Sequence, residues 1–163
     1  MKQKLQIDQW VWGKEKIIWG FDSSHQYTFK ILEPVVGRLG CLSLQYHNQK
    51  SESWLQLRGQ SWILICYNNQ VATRILNPYE VQNLPTGTIH RLMGLTPDCQ
   101  VAEPSTPDAH AADKSLPKDV IRLHCVQGRE CVEGRDEQEK ELIQKAIEIT
   151  EEAIVSIESK KIP

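Results

Sequence analysis

Four side chains have the types and spacing to hold a metal ion: His47, Gln49, Glu52 and His90. They fall in two stretches, GCLSLQYHNQKSESWLQLRG from Gly40 to Gly59 and LPTGTIH from Leu84 to His90. On a strand, side chains two apart share a face, so His47 and Gln49 are expected on one side and Tyr46 and Asn48 on the other. A short turn at Lys50 and Ser51 brings Glu52 to the start of a second strand. The Pro85/Gly87 turn then carries His90 alongside as the fourth ligand. Imidazole, carboxamide oxygen and carboxylate form a nitrogen/oxygen set for a divalent ion, Zn first and Mn, Fe or Ni after it. Three or four protein ligands leave a position for water or substrate.

Elements on either side must position these residues. Residues 10 to 33 read as two strands joined by a turn at Asp22, Ser23 and Ser24. Lys30 shares a face with Thr28 and Leu32. One reading sends it into the interior to meet an anion; the other leaves it an exposed strand lysine with a packed stem. After Gly59, QSWILICYNNQVATRIL is a hairpin with Asn68-Asn69 at its tip, because Asn tolerates positive φ. Ile63 and Ile65 lie on one face and Leu64 and Cys66 on the other, so both faces are expected to be buried. NPYE at 77 to 80 is a further turn before a short strand, and another strand is expected at 99 to 104. Many short strands with no long helix before residue 130 make an all-β barrel or sandwich.

The last stretch differs. From about Arg135, apolar residues recur at near-helical spacing with Glu and Lys between them: Leu142, Ile143, Ala146, Ile147, Ala153, Ile154. Asp136 is positioned to cap this helix. At about 22 residues it would be about 33 Å long, an appendage that packs along the barrel or against its copy in a homodimer.

At 163 residues and 40% hydrophobic content, the chain is long enough for one domain with a real core. With 19 basic and 21 acidic residues the net charge is -2, which gives no ground for nucleic-acid binding or membrane adhesion. No window approaches the roughly 20 apolar residues of a membrane helix, and the start lacks a signal-peptide run, so the cytoplasm is the expected compartment. Five cysteines without a CxxC pair suggest neither a disulfide framework nor a thiolate zinc site, with Cys131 expected to be the most exposed.

The order His47, Gln49, Glu52, Gly59, then Pro-x-Gly-x-x-His, resembles the two motifs of the cupin superfamily. LSLQYHNQKSESW and LPTGTIHRL look like its type II phosphomannose isomerase branch, including the cupin tail of bifunctional GDP-mannose pyrophosphorylases. That branch usually has a histidine where this chain has Gln49; type I phosphomannose isomerases are similar cupins that use a Gln, two His and a Glu. WGKE at 12 to 15, YTFKIL at 27 to 32, and Glu103, Ser105, Thr106, Pro107, Asp119, Val120, Arg122, Leu123, Gly128 and Arg129 also match. The acidic pair and Tyr usual before the final Gly-Arg are replaced by His124 to Gln127, and an insertion around His110 to Pro117 is expected to be a loop. The resemblance covers residues 10 to 130 or so. It implies a cupin β-barrel over 1-131, with 132-163 as the appended amphipathic helix.

The resemblance further implies a metal-dependent aldose-ketose isomerase acting on a sugar phosphate, mannose 6-phosphate in this branch. Glu103 and a hydroxide on the metal are candidate bases, with His25 behind them. Lys30 and Arg122 are candidates for the phosphate. Arg91 should point away from His90 and joins them only if a bulge turns it inward. Two other readings stand beside this one: a non-catalytic sugar-binding or regulatory cupin, and a different cupin enzyme such as a dioxygenase or sugar-nucleotide epimerase. His110 is expected to face solvent and His124 to be structural, while Trp54 and Trp62 serve as core or pocket wall.

Overall fold

A computed structural model describes residues 5 to 19, 27 to 107 and 115 to 159. Among these residues eleven strands come before one α-helix: β1 (Gln6–Trp10), β2 (Gly13–Trp19), β3 (Thr28–Pro34), β4 (Leu44–His47), β5 (Glu52–Arg58) and β6 (Ser61–Tyr67). β7 (Gln70–Leu76), β8 (Val81–Leu84), β9 (Ile89–Gly94), β10 (Gln100–Ser105), β11 (Val120–His124) and α1 (Glu137–Ser159) complete them. The strands form two antiparallel sheets, ordered β1-β2-β3-β10-β5-β8 and β11-β4-β9-β6-β7. The fold is therefore all-β with a C-terminal helix, and among the described residues no helix is long and apolar enough to cross a membrane.

Local sequence explains the turns that set this register. Asn68 and Asn69 both take positive φ, 49° and 59°, the backbone of a two-residue hairpin between β6 and β7. Gly59 turns the chain from β5 to β6 at φ +59, where a Cβ would lie 2.1 Å from Thr96 Oγ1. The turn expected at Asp22 to Ser24, and His25 and His110, lie outside the described residues.

Period-2 alternation sorts the side chains into two packed layers. Between the sheets, Trp12, Leu32, Trp54, Ile63, Leu92 and Val101 form one cluster. On the outer face of the five-stranded sheet, Leu44, Leu64 and Met93 pack against Ile143, Ala146 and Ile154 of α1. This is why β6 is apolar on both faces: Ile63 points inward and Leu64 toward the helix. Burying each isoleucine of α1 contributes roughly 1.5–3 kcal/mol, so packing rather than propensity holds the helix down. Its start is fixed by Asp136, whose Oδ1 accepts from the Glu139 N–H at 2.8 Å. α1 packs along the barrel, against β6, β7 and β11.

Candidate metal centre

Beside that apolar cluster, the interior of the barrel carries a set of polar residues. Ser43, just before β4, and Gln45 and His47 on it turn inward, while Tyr46 joins the cluster under α1. β9 lies antiparallel to β4 with His90 opposite Gln45, and Glu52 opens β5. Ligand atoms of His47, Glu52 and His90 all lie within 4.8 Å of one another, and all three residues are buried. His90 Nε2 is 3.2 Å from Glu52 Oε1, and His47 Nε2 is 3.7 Å from Glu52 Oε2.

These atoms do not satisfy one another. His90 Nδ1 is 2.8 Å from the Thr88 carbonyl, which in the neutral ring places the proton on Nδ1 and leaves Nε2 with a lone pair. That lone pair then faces a carboxylate oxygen, an arrangement that a shared cation, a metal ion or a proton, reconciles. Both ring nitrogens of His47 and the Nε2 of His90 are buried without a hydrogen-bond partner. Burial, helped by the Lys50 ammonium, pushes His47 down to about 4, so it is a neutral imidazole near pH 7. Two imidazoles and a carboxylate fit Zn, Mn, Fe or Ni, and these three residues could hold such an ion as a three-ligand site.

Gln49 does not join them, which corrects the expected ligand set. β4 ends at His47, and the Asp119 carboxylate accepts the backbone N–H groups of Gln49 and Lys50, each at 2.9 Å. The chain bends there instead of continuing its alternation, leaving Gln49 exposed and burying Lys50. Lys50 Nζ lies 2.5 Å from Glu52 Oε2 and 3.3 Å from Glu103 Oε1, an ammonium lodged between two buried carboxylates. Although burial opposes it, Lys50 holds Glu52 well below the usual carboxylate range. Glu103 moves the other way: burial, then the Glu52 charge, raises it. Its second oxygen accepts from Trp54 Nε1 at 3.2 Å.

The centre opens on a cavity of about 380 Å³. Lys30 does point inward, where it pairs with Glu15 at 2.8 Å. Arg122 lines the same cavity, opposite Gln45 in the β4-β11 pairing. Arg91 does not, and the pocket-rim role expected for it is corrected: no bulge turns it. It lies fully buried beneath α1, donating to Thr150 Oγ1 at 3.0 Å and to the His124 carbonyl at 2.9 Å. Sequence reasoning did not single out Lys50, Glu15, Lys118 or Arg129 for the cavity, nor Asp119 as the residue that bends the chain. A lysine in a polar turn gives no signal of burial when the carboxylate that bends its backbone comes 69 residues later.

No protein-family model and no curated protein matches the sequence. Solved structures match the fold. The capsular polysaccharide assembling protein CapF from Staphylococcus aureus superimposes with TM-score 0.59 at 18% identity, covering 76% of this chain and 35% of its own. This chain thus spans about a third of CapF. KdgF from Halomonas sp. gives 0.55 at 18% identity, covering 70% of this chain and 92% of its own. A cupin-2 domain from Rhodospirillum rubrum gives 0.51 at 13%, covering 63% and 69%. The architecture is a cupin fold; at these identities the likeness speaks for the fold alone, and phosphomannose isomerase remains a resemblance read from the motifs.

Proposed function

We propose that the chain is a metal-dependent cupin enzyme that moves a proton on a small, oxygen-rich anionic substrate, aldose-ketose isomerisation of a sugar phosphate being the foremost case. The observation that carries this reading is the ligand set of His47, Glu52 and His90, whose buried imidazole ligand atoms lack hydrogen-bond partners, set beside Glu103 in a cavity with a cationic wall. Lys30 and Lys50 are neutralised by Glu15, Glu52 and Glu103. Lys118, Arg122 and Arg129, by contrast, line the cavity without a carboxylate partner in any ion pair among the described residues.

These features divide the work. The cationic wall holds the anionic end of the substrate, with Arg able to grip a phosphate or carboxylate through two N–H groups. A bound divalent ion would polarise a substrate carbonyl and offset the charge developing on neighbouring oxygens. Glu103, its proton affinity raised by burial, accepts and returns the proton, while Trp54 and Lys50 hold its two oxygens in place.

The test is turnover by metal-loaded protein on a panel of sugar phosphates in D2O, read by NMR as loss of a carbon-bound proton. Small carboxylates belong in the panel, because the wall suits them equally and one fold neighbour is an oxalate decarboxylase from Lactobacillus farciminis (TM-score 0.56, 16% identity, covering 73% of this chain and 33% of its own). Exchange that falls about 10²–10⁴-fold in Glu103→Gln with metal retained supports the reading. A metal-loaded protein that turns over no member of the panel refutes it and favours a sugar-binding cupin.

A further inference from the structure

Beyond β11 the chain makes a compact turn. The Gly128 N–H donates to the Cys125 carbonyl at 3.1 Å, Gly128 taking φ +73, and the Val132 N–H donates to the Arg122 carbonyl at 2.8 Å. Arg129 thereby comes to rest between two thiols. Its Nε donates to Cys125 Sγ at 3.3 Å, and its carbonyl accepts from Cys131 Sγ at 3.2 Å. Gln127 braces the turn, accepting from Cys125 Sγ through Oε1 and donating to the Leu39 and Cys41 carbonyls.

The surroundings favour a thiolate over a metal. Burial, then the neighbouring Cys125, raises Cys131 against the pull of Arg122, Arg129 and Arg91, so it stays a thiol while Cys125 is the one to ionise. The two belong to no cluster of three or more metal-ligating groups among the described residues. Cys125 is drawn toward ionisation: burial opposes it, but the Arg129 side chain and the backbone amides of Arg129 and Gln127 outweigh burial. Burial pushes Cys41 up to about 11 and Cys66 up to about 12, and it raises Cys99. Cys125 is buried, at 8% exposed, and Cys131 at the other end of the turn is half-buried.

We propose that Cys125 and Cys131 form an oxidation site for a hydroperoxide, Cys125 being the attacking thiolate and Cys131 the resolving thiol. With hydrogen peroxide, the Cys125 sulfur attacks one oxygen; the O–O bond breaks, an S–O bond forms, and the displaced hydroxide takes up the thiol proton as water. The Cys131 sulfur then attacks the Cys125 sulfur. The S–O bond breaks, and the hydroxyl leaves with the Cys131 proton as a second water. Two thiols are oxidised to a disulfide and one peroxide is reduced to two waters. Because Arg129 also lines the cavity, the modification stands at the cavity wall.

The experiment treats the full chain with a small excess of hydrogen peroxide and follows intact mass and peptide maps. The expected result is a loss of about 2 Da with a Cys125–Cys131 cross-linked peptide, before any change at Cys41, Cys66 or Cys99. In Cys131→Ser, Cys125 should instead be trapped as a sulfenic acid by a dimedone probe. Arg129→Gln should slow the reaction several-fold. Oxidation that begins at Cys41, Cys66 or Cys99, or that gives no Cys125–Cys131 link in the unmutated chain, overturns the proposal. The unmutated chain decides this even if a variant fails to fold.

Discussion

Arg91 Nη1 donates to Thr150 Oγ1 at 3.0 Å, tying the strand that carries His90 to the C-terminal helix. The hydroxyl in turn donates to the Ala146 carbonyl at 2.7 Å, so one threonine serves two elements. Thr150→Val keeps the shape and leaves a buried guanidinium N–H without its acceptor. The expected cost is about 1–3 kcal/mol, seen as a lower urea midpoint with an unchanged slope. An unshifted midpoint would mean that the bond contributes nothing net.

Metal binding should depend on three residues and not on the fourth expected from the motif. His90→Ala and Glu52→Gln each remove a ligand and should lower Zn affinity by at least about tenfold, measured by calorimetry. Gln49→Ala, at an exposed bend, should leave affinity within about threefold. A large loss in Gln49→Ala would require that the bend rearrange when metal enters.

Lys50 answers to two carboxylates, and removing it leaves both buried without their counter-charge. Lys50→Met should cost metal-free protein about 3–5 kcal/mol. Added Zn supplies positive charge to the same Glu52, so the metal-induced rise in Tm should be larger in Lys50→Met than in the unmutated chain. Equal rises would show that Lys50 and metal act independently.

Acid should weaken the metal-free fold through His47. An unfolded histidine titrates near 6.5, whereas His47 in the fold is held at about 4, so between these values the unfolded chain binds more protons. The stability tied to neutral His47 is therefore complete above roughly pH 6.5 and is lost as pH falls toward 4, by up to about 3 kcal/mol. His47→Gln should flatten this part of the profile in urea unfolding. A mutant that keeps the full slope over that window would assign it to other groups.

Much of this arrangement was legible in the sequence, and the misreadings share a cause. His47, Glu52 and His90 could be brought together because strand periodicity and the Pro85/Gly87 turn are local features. Gln49 failed because the same periodicity was carried past the end of β4, and what ends β4's alternation is the distant carboxylate of Asp119. Arg91 was set on the correct side of β9, opposite His90, but its partners come from α1 and β11. The two-faced burial of β6 was visible in ILIC, yet only the folded chain shows that α1 is the element that covers its outer face.

The edge-to-face contact of Trp54 with the His90 ring, at 5.2 Å and 87°, has an optical consequence. The indole whose N–H is held by Glu103 is also in van der Waals reach of a ring that would carry metal. Its emission should respond when a quenching ion such as Ni or Cu enters, and the difference spectrum against Trp54→Phe would isolate that response from the other four tryptophans. The barrel thus contains its own fluorescent gauge of whether the centre is filled.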